Sequence, residues 1–293
     1  MDIHPELYYN MYIQVKEIKT MRYFCISDIH GCYTKMIEAL EDAGFNKEKD
    51  TLISVGDLFD RGNESREVLE FVMSCPHRIL CMGNHDLRLM QLILNPFDYN
   101  QYDYSNGVPY TMVSMLGPQR VLDENIGTWD GLRMLKDIDL LKQYFHECVA
   151  AIEFSNLIIT HGWIPVNEKF SVNHYTFRDD WREATGPEWE EALWAHTEIR
   201  ISNKVYPEKT LLIGHWHAWR LAEKFGEHRQ TDKHDPEEYI NCDMFEYVYH
   251  GEKKFIAIDG CTNWPFGGRV NVYQFESGET PSIIKGGFAR WYY

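Results

Sequence analysis

The sequence has few of the features that mark secreted, membrane-spanning or disulfide-stabilised proteins. Its 293 residues include seven cysteines, an odd number, and no two of them form a Cys-X-X-Cys pair. Scattered thiols of this kind are typical of proteins from a reducing compartment. No apolar run approaches the roughly 18 residues that a bilayer span requires, and residues 1–20 carry charges without an apolar signal-peptide core. We therefore expect a cytoplasmic protein without a membrane partner.

Positive charge is also scarce. The chain has 29 Lys and Arg against 45 Asp and Glu, which gives a formal net charge of -16. Proteins that bind nucleic acid without sequence preference gain their affinity from basic surfaces, so this balance argues against general nucleic-acid binding. The hydrophobic share of 44% and the charged share of 25% are those of an ordinary globular protein.

Hydrophobic patterning predicts an α/β fold. Short apolar runs at 22–27, 51–55 and 77–82 alternate with helical patterns at 34–44 and 64–74, which predicts a parallel sheet with helical crossovers. Further strands are predicted at 149–154 and 156–161, joined by a hairpin turn at Ser155 and Asn156. Three last strands, at 210–215, 254–260 and 269–276, are predicted to close the chain as a second sheet.

No break in composition divides the chain, so we expect one domain that spans residues 1–293. Within it, residues 1–20 form an N-terminal extension. Residues 87–148, rich in Leu and Met at helical spacing, predict a helical cap, and residues 223–254 form a polar insertion between two strands.

Polar motifs directly follow five of the predicted strands. They read DIHG at 28–31, GDLFDRG at 56–62, GNHD at 83–86, THG at 160–162 and GHWH at 214–217. Ligands of open α/β sheets bind beyond the carboxyl ends of the strands, so the five motifs are expected to converge. At average residue frequencies, the GDXXDRG pattern arises by chance about once in a million positions or more rarely.

The motifs supply a mixed set of metal ligands. Three candidates offer oxygen and three offer imidazole nitrogen: Asp28, Asp57, Asn84, His30, His161 and His215. Such a set suits Mn, Fe or Zn better than Ca or a thiolate-bound structural zinc.

Taken in order, the motifs resemble those of the calcineurin-like metallophosphoesterase superfamily. The Asp-Arg-Gly of the second motif is similar to the phosphoprotein-phosphatase branch, which includes bacterial Ser/Thr protein phosphatases, and the resemblance covers residues 22 to about 276. Asn106-Gly107 and the segments 257–260 and 267–270 resemble further parts of bacterial members. The resemblance implies a four-layer αββα sandwich with a two-metal centre.

The resemblance also implies how the metals are held. One ion is bound by Asp28, His30 and Asp57, and Asp57 bridges to the second ion. The second ion is bound by the four residues Asp57, Asn84, His161 and His215. Manganese is the favoured metal, with iron or zinc as alternatives. His217 is an optional ligand of the first ion, because the GHXH form occurs in more distant phosphoesterases.

Catalytic roles follow from the same resemblance. Asp60 and His85 match an orienting carboxylate and a general acid, and Arg61 matches an arginine that clamps the phosphate. Asn84 and His85 are also expected to contact the phosphate. A second clamping arginine usually follows a Leu-Trp pair, but here Ala195 and His196 follow Leu193-Trp194, and Arg200 is the next candidate.

The leading hypothesis is a protein Ser/Thr phosphatase in which a hydroxide bridging the two metals attacks phosphorus directly. The alternative is a symmetrical dinucleoside tetraphosphate hydrolase or another small-molecule phosphoesterase, since a GHW sequence like that at 214–216 is familiar in the former. The substrate is thus a phosphorylated protein or a small phosphoester. An inactive metal-binding scaffold has no need of Asp60, Arg61 and His85.

Four tryptophans in the second half are interpreted as packing residues rather than as a base-stacking platform, because no basic groove accompanies them: Trp163, Trp181, Trp189 and Trp194.

Overall fold

The computed structural model describes residues 20–169, 174–226, 242–265 and 267–288. The predicted N-terminal extension therefore lies outside the described residues except for Thr20, and so does the central part of the polar insertion, residues 227–241. None of the described helices is both long and apolar enough to cross a bilayer.

The strands are β1 (Met21–Ile26), β2 (Thr51–Ser54), β3 (Arg78–Leu80), β4 (Ala151–Glu153), β5 (Leu157–Thr160), β6 (Asn167–Lys169), β7 (His174–Thr176), β8 (Thr210–His217), β9 (Phe245–Tyr249), β10 (Glu252–Asp259), β11 (Tyr273–Ser277) and β12 (Ser282–Ile284). The α-helices are α1 (Tyr33–Asp42), α2 (Ser65–Ser74), α3 (Asn84–Leu94), α4 (Gln101–Ser105), α5 (Val108–Leu116), α6 (Pro118–Asp123), α7 (Thr128–Leu135), α8 (Asp139–Glu147), α9 (Gly186–Leu193), α10 (Thr197–Ser202) and α11 (Ala218–Phe225).

The first sheet has the order β11-β1-β2-β3, in which β1, β2 and β3 are parallel. The prediction that residues 269–276 join the second sheet was wrong, because β11 pairs antiparallel with β1. Phe275 stacks on Tyr23 with ring centroids 5.0 Å apart and meets Phe154 of the other sheet edge to face. Alternating apolar residues specify a face that must be buried, but they do not specify the strand beside which it lies.

The second sheet has the order β12-β4-β5-β8-β10-β9. Its three central strands β5, β8 and β10 are parallel, and β4 and β5 form the predicted antiparallel hairpin. The predicted polar insertion contributes β9 and the start of β10 to this sheet. A separate pair, β6 and β7, is antiparallel.

The two sheets pack face to face, with helices on both outer faces. The apolar layer between the sheets contains side chains from both of them, including Tyr23, Cys25, Ile53, Val55, Ile152, Ile159, Leu212, Ile256 and Ile258. The opposite faces of the same strands share a second apolar cluster with helix side chains, and Leu52 and Ile213 belong to it. The alternation of each strand therefore confirms the predicted four-layer αββα sandwich.

Helix α2 shows how the spacing of apolar residues produces a buried helical face. In α2, Val68, Leu69 and Val72 are buried at the spacing of one helical face, while Glu67 and Glu70 point to solvent. The segment expected to form a cap, residues 87–148, contains most of α3, all of α4 to α8 and a short 3-10 turn at Pro96–Asp98.

Candidate active site

Loops from both sheets meet at one edge of the sandwich. The backbone N–H of Asp28, after β1, donates to the carbonyl of Gly56 after β2 at 3.0 Å, and that of His30 donates to the carbonyl of Asp57 at 3.1 Å. From the second sheet, the backbone N–H of His215 donates to the carboxylate of Asp28 at 3.0 Å. The structure thus brings the five motif loops together where their strands end.

Asp57 lies between two histidines from different loops. Its Oδ2 atom is 3.3 Å from Nε2 of His161 and 3.8 Å from Nε2 of His30. The other oxygen, Oδ1, accepts a hydrogen bond from the backbone N–H of His85 at 2.9 Å. One carboxylate oxygen therefore faces both histidines, which is the placement that a bridging ligand requires.

Two histidine nitrogens lie close to the side-chain oxygen of Asn84. That oxygen is 2.8 Å from Nε2 of His161 and 2.8 Å from Nδ1 of His215. The ligand atoms of Asp57, His161 and His215 lie within 4.8 Å of one another. These four residues can surround one cation.

The histidines are oriented as metal ligands usually are. Nδ1 of His30 faces the carbonyl oxygen of Phe59 at 2.8 Å, and Nδ1 of His161 faces that of Val55 at 2.9 Å. Such carbonyls fix the ring and its tautomer and leave the other nitrogen directed at the ion. Nε2 of His30 is buried without a hydrogen-bond partner among the described residues. A buried polar atom without a partner lowers the stability of the fold unless a ligand binds to it. The unpartnered nitrogen of His30, together with the oxygen and nitrogen atoms around it, therefore fits a divalent metal.

The electrostatics of the cluster also fit a cation. Burial and the nearby Arg61 charge hold the pKa of His30 well below its usual range, and burial lowers the pKa of His215 to about 3, so both rings are neutral donors. Burial and the charge of Asp259 raise the pKa of Asp28 well above its usual range. A cation between these groups removes the repulsion between the carboxylates.

The motif loops also hold strained backbone. Asp28, His30, Asp57 and His215 have φ between 48° and 63°, in the left-handed region that residues with a Cβ seldom adopt. Strain of this kind persists only where surrounding contacts enforce it, and it is frequent at functional sites.

Gly83 shows why the third motif starts with glycine. A Cβ built on Gly83 would lie 2.1 Å from Oδ1 of Asp57 and 2.2 Å from its backbone nitrogen. Only a residue without a side chain lets this loop come so close to the central carboxylate.

His85, Asp60 and Arg61 form a connected group beside the candidate metal ligands. Nδ1 of His85 is 2.8 Å from the Asp60 carboxylate, and Nη2 of Arg61 is 3.3 Å from Nε2 of His85. Burial lowers the pKa of His85, but the carboxylates of Asp57 and Asp60 outweigh it and raise the pKa above its usual value. Because an arginine only donates, its contact with Nε2 requires this nitrogen to be unprotonated, whereas the raised pKa favours the protonated ring, so the two observations favour opposite states of His85.

Asn106 and Gly107, noted above for their resemblance to bacterial family members, support Arg61. The backbone N–H of Arg61 donates to the carbonyl of Asn106 at 3.0 Å. A Cβ on Gly107, which has φ of 89°, would lie 2.4 Å from the Arg61 backbone nitrogen. The helical segment 87–148 therefore reaches the active site through this turn and through Thr111, whose hydroxyl accepts from the Asp60 backbone N–H at 2.8 Å.

Asp86 organises the site but has no role in the sequence prediction. Its carboxylate accepts from the backbone N–H groups of Asp57 and Leu58 and from the hydroxyl of Tyr144, at 2.8, 3.0 and 2.9 Å. Burial, with the charge of Asp57, raises its pKa to about 6. The sequence position of Asp86 could have indicated this role. An acidic residue three places after the N-cap accepts a hydrogen bond from the N-cap backbone N–H at the start of a helix.

Two predicted residues have described contacts with residues other than the six candidate metal ligands. Nδ1 of His217 is 2.9 Å from the carboxylate of Asp259. The guanidinium of Arg200, in α10, is buried and stacks on the ring of Tyr175 at 3.7 Å. A role in metal binding for His217 and a role in phosphate binding for Arg200 remain predictions.

The four tryptophans divide into two kinds. Trp163, Trp181 and Trp189 are at most 1% exposed and pack in the core, as expected. Trp194 is 39% exposed, and its ring centroid lies 6.4 Å from that of His85 and 6.3 Å from that of His215. The interpretation of Trp194 as a core packing residue like the other three was wrong, because this side chain is partly exposed beside His85 and His215.

Trp216 contacts the two residues that follow Trp194. Its indole N–H donates to the carbonyl of Ala195 at 3.0 Å, and its ring packs against His196 with centroids 5.4 Å apart. The exposed ring of Tyr102, in α4, lies 6.4 Å from that of Trp194. Trp194 and Tyr102, together called the aromatic pair below, thus stand at the mouth of the site.

Sequence similarity to a family model and to known proteins identifies the family of this chain. Residues 21–228 match the family model described as calcineurin-like phosphoesterase. A symmetrical bis(5'-nucleosyl)-tetraphosphatase of Shewanella frigidimarina is 28% identical over 232 residues, which cover 68% of this chain and 85% of the relative. A protein of the same name from Buchnera aphidicola is 39% identical over 85 residues, which cover 29% of this chain and 31% of the relative.

A solved structure, described as that of a putative diadenosine tetraphosphatase, aligns with 91% of this chain and 94% of its own, at 18% identity and a TM-score of 0.49. The family match covers well over half of the chain and includes all six candidate metal ligands. The chain therefore belongs to the calcineurin-like phosphoesterase family and is a phosphoester hydrolase.

Proposed function

We propose that the protein is a dinucleoside polyphosphate hydrolase that splits a tetraphosphate symmetrically into two nucleoside diphosphates. The observation that carries this proposal is the aromatic pair, Trp194 and Tyr102, beside the metal cluster. Two exposed rings next to a phosphate site suit a nucleobase, because every base offers a face for stacking. The names of the similar proteins from Shewanella frigidimarina and Buchnera aphidicola support it.

The metal centre in this proposal holds two divalent ions, with manganese favoured and iron or zinc as alternatives. Asp28, His30 and Asp57 would hold the first ion, and Asp57, Asn84, His161 and His215 would hold the second. When bound, such ions lower the pKa of a water molecule and neutralise phosphate oxygens.

Protein groups then act on the phosphates themselves. Arg61 turns from His85 to a phosphate oxygen, where its guanidinium forms a charge-assisted hydrogen bond. The amide N–H of Asn84 offers a second donor, since only its oxygen faces the histidines. His85, held by Asp60 and cationic once Arg61 has moved, donates a proton from Nε2 to the leaving phosphate oxygen.

We further propose that residues 87–148 act as a cap. Their turn at Asn106 and Gly107 supports Arg61, and Tyr102 comes from the same segment. The cap therefore supplies both a support for the phosphate clamp and half of the aromatic pair.

Protein Ser/Thr phosphatase activity is the second candidate, because of one feature of the site. A serine alkoxide is a poor leaving group that requires a proton, and the buried Asp60–His85 pair holds a proton donor in place. A nucleoside diphosphate is a far better leaving group and depends less on that donor.

The test is an activity panel with the manganese-loaded protein. Diadenosine tetraphosphate and phosphoserine and phosphothreonine peptides are supplied at equal concentration, and the nucleotide products are identified. We expect the dinucleotide to yield nucleoside diphosphate alone and to be the better substrate. Products in the form of a mono- and a triphosphate, or preference for the peptides, would contradict the proposal.

A variant makes the test specific to the aromatic pair. Base stacking contributes about 1–3 kcal/mol, so Trp194→Ala is expected to raise KM for the dinucleotide roughly 5- to 150-fold and to spare small phosphoesters. The matched control is Trp129→Ala, an exposed tryptophan whose ring packs on Phe97 instead. Equal effects of Trp194→Ala on the dinucleotide and on p-nitrophenyl phosphate would mean that the ring only supports the site.

A further inference from the structure

A further exposed tryptophan lies in the loop that follows β10. This loop, called the tryptophan loop below, is described at residues 260–265, 267 and 268. Trp264 within it is 41% exposed, which is close to the 39% of Trp194 in the aromatic pair. Neither the aromatic pair nor the six candidate metal ligands include a residue of this loop.

The order of the second sheet separates the tryptophan loop from the aromatic pair. Strand β8 lies between β5 and β10, and His215 is near its end. The helix before Trp194 packs on the loop after β5, where the backbone N–H of Trp163 donates to a carbonyl of α9 at 3.0 Å. The tryptophan loop begins instead after Asp259, which is paired with His217 across β8 and β10. The end of β8 therefore has the aromatic pair on its β5 side and the tryptophan loop on its β10 side.

Lys35 holds the tryptophan loop in place. Its Nζ donates to the carbonyls of Thr262, Gly268 and Trp264 at 2.6, 2.9 and 3.4 Å. An ammonium group has three donors, and these three carbonyls can take all of them. Lys35 belongs to the first turn of α1, which begins just after the DIHG motif. The loop is thus attached to the helix that follows the first metal-binding motif.

The start of α1 also adjoins Arg61. The backbone N–H groups of Gly62 and Glu64 donate to the carbonyls of His30 and Gly31, each at 2.9 Å. The segment that carries Arg61 therefore lies against the turn from which α1 begins. The first turn of α1 connects the proposed phosphate clamp to the tryptophan loop.

We propose that the tryptophan loop receives the second nucleoside of the dinucleotide, with Trp264 as its stacking residue and Lys35 as a positioning residue. This inference rests on the proposed function. A symmetrical dinucleoside tetraphosphate has its scissile bond in the middle and an identical nucleoside at each end. If the aromatic pair binds one base, the other base extends to the far side of the metal ligands. An exposed indole on that side offers a face on which any base can stack.

Steady-state kinetics of the full-length, manganese-loaded protein test this assignment. Diadenosine tetraphosphate carries two bases, adenosine tetraphosphate carries one, and p-nitrophenyl phosphate carries no nucleobase. Trp264→Ala is expected to raise KM for the dinucleotide about 5- to 150-fold, the range that base stacking contributes. A much smaller rise is expected for adenosine tetraphosphate, whose one base can use the aromatic pair, and the smallest for p-nitrophenyl phosphate. For a poor substrate, competitive inhibition replaces KM.

Variants of Lys35 test whether it acts through Trp264. Lys35→Met is expected to raise KM for the dinucleotide, and the double variant with Trp264→Ala is expected to be no worse than Trp264→Ala alone. Lys35→Arg keeps donors for the carbonyls and is expected to have a smaller effect. Trp129→Ala, whose exposed ring packs on Phe97, is the matched control and is expected to leave all three KM values unchanged. Additive effects in the double variant would remove Lys35 from its positioning role.

The outcomes separate this inference from the proposed function. Hydrolysis of the dinucleotide to nucleoside diphosphate with a KM that Trp264→Ala does not change overturns this inference alone. Equal rises in KM for all three substrates also overturn it, because the ring would then only support the active site. Failure of the unaltered protein to hydrolyse the dinucleotide contradicts the proposed function, and this inference with it.

Discussion

The two ends of strands β5 and β8 contrast sharply. Beyond their carboxyl ends, His161 and His215 meet buried carboxylates in strained loops, and burial pulls the pKa of His215 down to about 3. At their amino ends, the buried Glu153 carboxylate pairs with Arg182 and Lys209, each at 2.7 Å. The carboxyl ends thus hold buried carboxylates that a cation from outside can pair with, and the amino ends hold a buried carboxylate whose cationic partners belong to the chain.

This difference predicts where the protein depends on ligands. A cation that binds only the folded state raises the free energy of unfolding by mass action. The buried atoms that can bind such a cation lie beyond the carboxyl ends of the strands. The amino end contributes its electrostatic stability without any ligand. Changes at the carboxyl end are therefore expected to alter metal content and activity first, and changes at the amino end are expected to alter stability alone.

Asp57→Asn is expected to have the largest effect. The substitution keeps the shape of the side chain but removes the negative charge that faces both His30 and His161. Loss of an outer partner of a metal ligand typically costs about 10- to 100-fold in affinity, and loss of a shared ligand charge is expected to cost at least that much for each ion. Elemental analysis and manganese titration measure it.

The control for this change is Asp139→Asn, whose carboxylate is on the surface of α8 and pairs with Lys142. It is expected to retain full metal content and activity. Retention of both ions by Asp57→Asn at the affinity of the unaltered protein would remove Asp57 from the bridging position.

His85→Ala is expected to have the next largest effect, and one that depends on the leaving group. The change removes the ring between Asp60 and Arg61 but none of the six metal ligands. General acid catalysis contributes about 100- to 10,000-fold, so a loss of this order is expected for a phosphoserine peptide. Smaller losses are expected for p-nitrophenyl phosphate and for a dinucleoside tetraphosphate, whose leaving groups are acidic.

Metal content is measured in the same samples and is expected to be unchanged. Asp60→Asn is expected to show a weaker form of the same pattern, because it lowers the pKa of His85 without removing the ring. Equal losses on all three substrates would show that His85 positions the phosphate and does not donate a proton.

Tyr144→Phe tests the support behind the metal ligands. The hydroxyl of Tyr144 donates to Asp86, which holds the backbone of Asp57. Loss of one buried hydrogen bond to a charged group costs about 1–3 kcal/mol, and metal affinity is expected to fall about 10-fold as the Asp57 loop loosens. Urea unfolding and manganese titration measure the two effects.

Tyr23→Phe is the matched control at the far end of the sandwich, where the hydroxyl donates to the carbonyl of Glu279 at 3.2 Å. It is expected to change stability slightly and metal affinity not at all. If both variants lower metal affinity alike, the support of the active site is not specific to Asp86.

Sequence reasoning identified the active-site candidates because each follows its own strand directly. Asp28, Asp57 and Asn84 are therefore recognisable from short motifs, and the αββα fold follows from the alternation of strands and helices. The supporting residues act over long distances in the chain. Tyr144 reaches Asp86 across 58 positions, and no local pattern records such a contact.

Similar physical limits explain the other errors. Trp194 and the buried tryptophans have the same chemistry, and only their different burial in the folded chain distinguishes them. In the same way, β11 could bury its apolar face beside either sheet. Local sequence specifies that a face is buried, and tertiary packing specifies its partner.

Glu153→Gln is expected to have the smallest effect, and it tests the amino end of the strands. Hydrogen bonds from Arg182 lower the pKa of Glu153 to about 2, with burial opposing them and Lys209 adding to them. Because the pKa in the folded state lies below the ordinary value of 4.5, the charged group stabilises the fold above about pH 4.5. That contribution is lost as the pH falls from about 4.5 towards 2.

The partners of Glu153 are partly exposed, with 45% for the Arg182 side chain and 27% for that of Lys209, so solvent screening reduces the expected contribution to about 1–2 kcal/mol. Urea unfolding in excess chelator, which removes metal binding from the comparison, measures the free energy of unfolding of Glu153→Gln and of the unaltered protein at several pH values. The difference between the two free energies is expected to be largest near pH 7 and to decrease below about pH 4.5. Glu246→Gln, which breaks an exposed pair with Lys253, is expected to cost less than about 0.5 kcal/mol. A difference for Glu153→Gln that stays constant with pH would mean that packing, and not charge, makes this end of the strands independent of ligands.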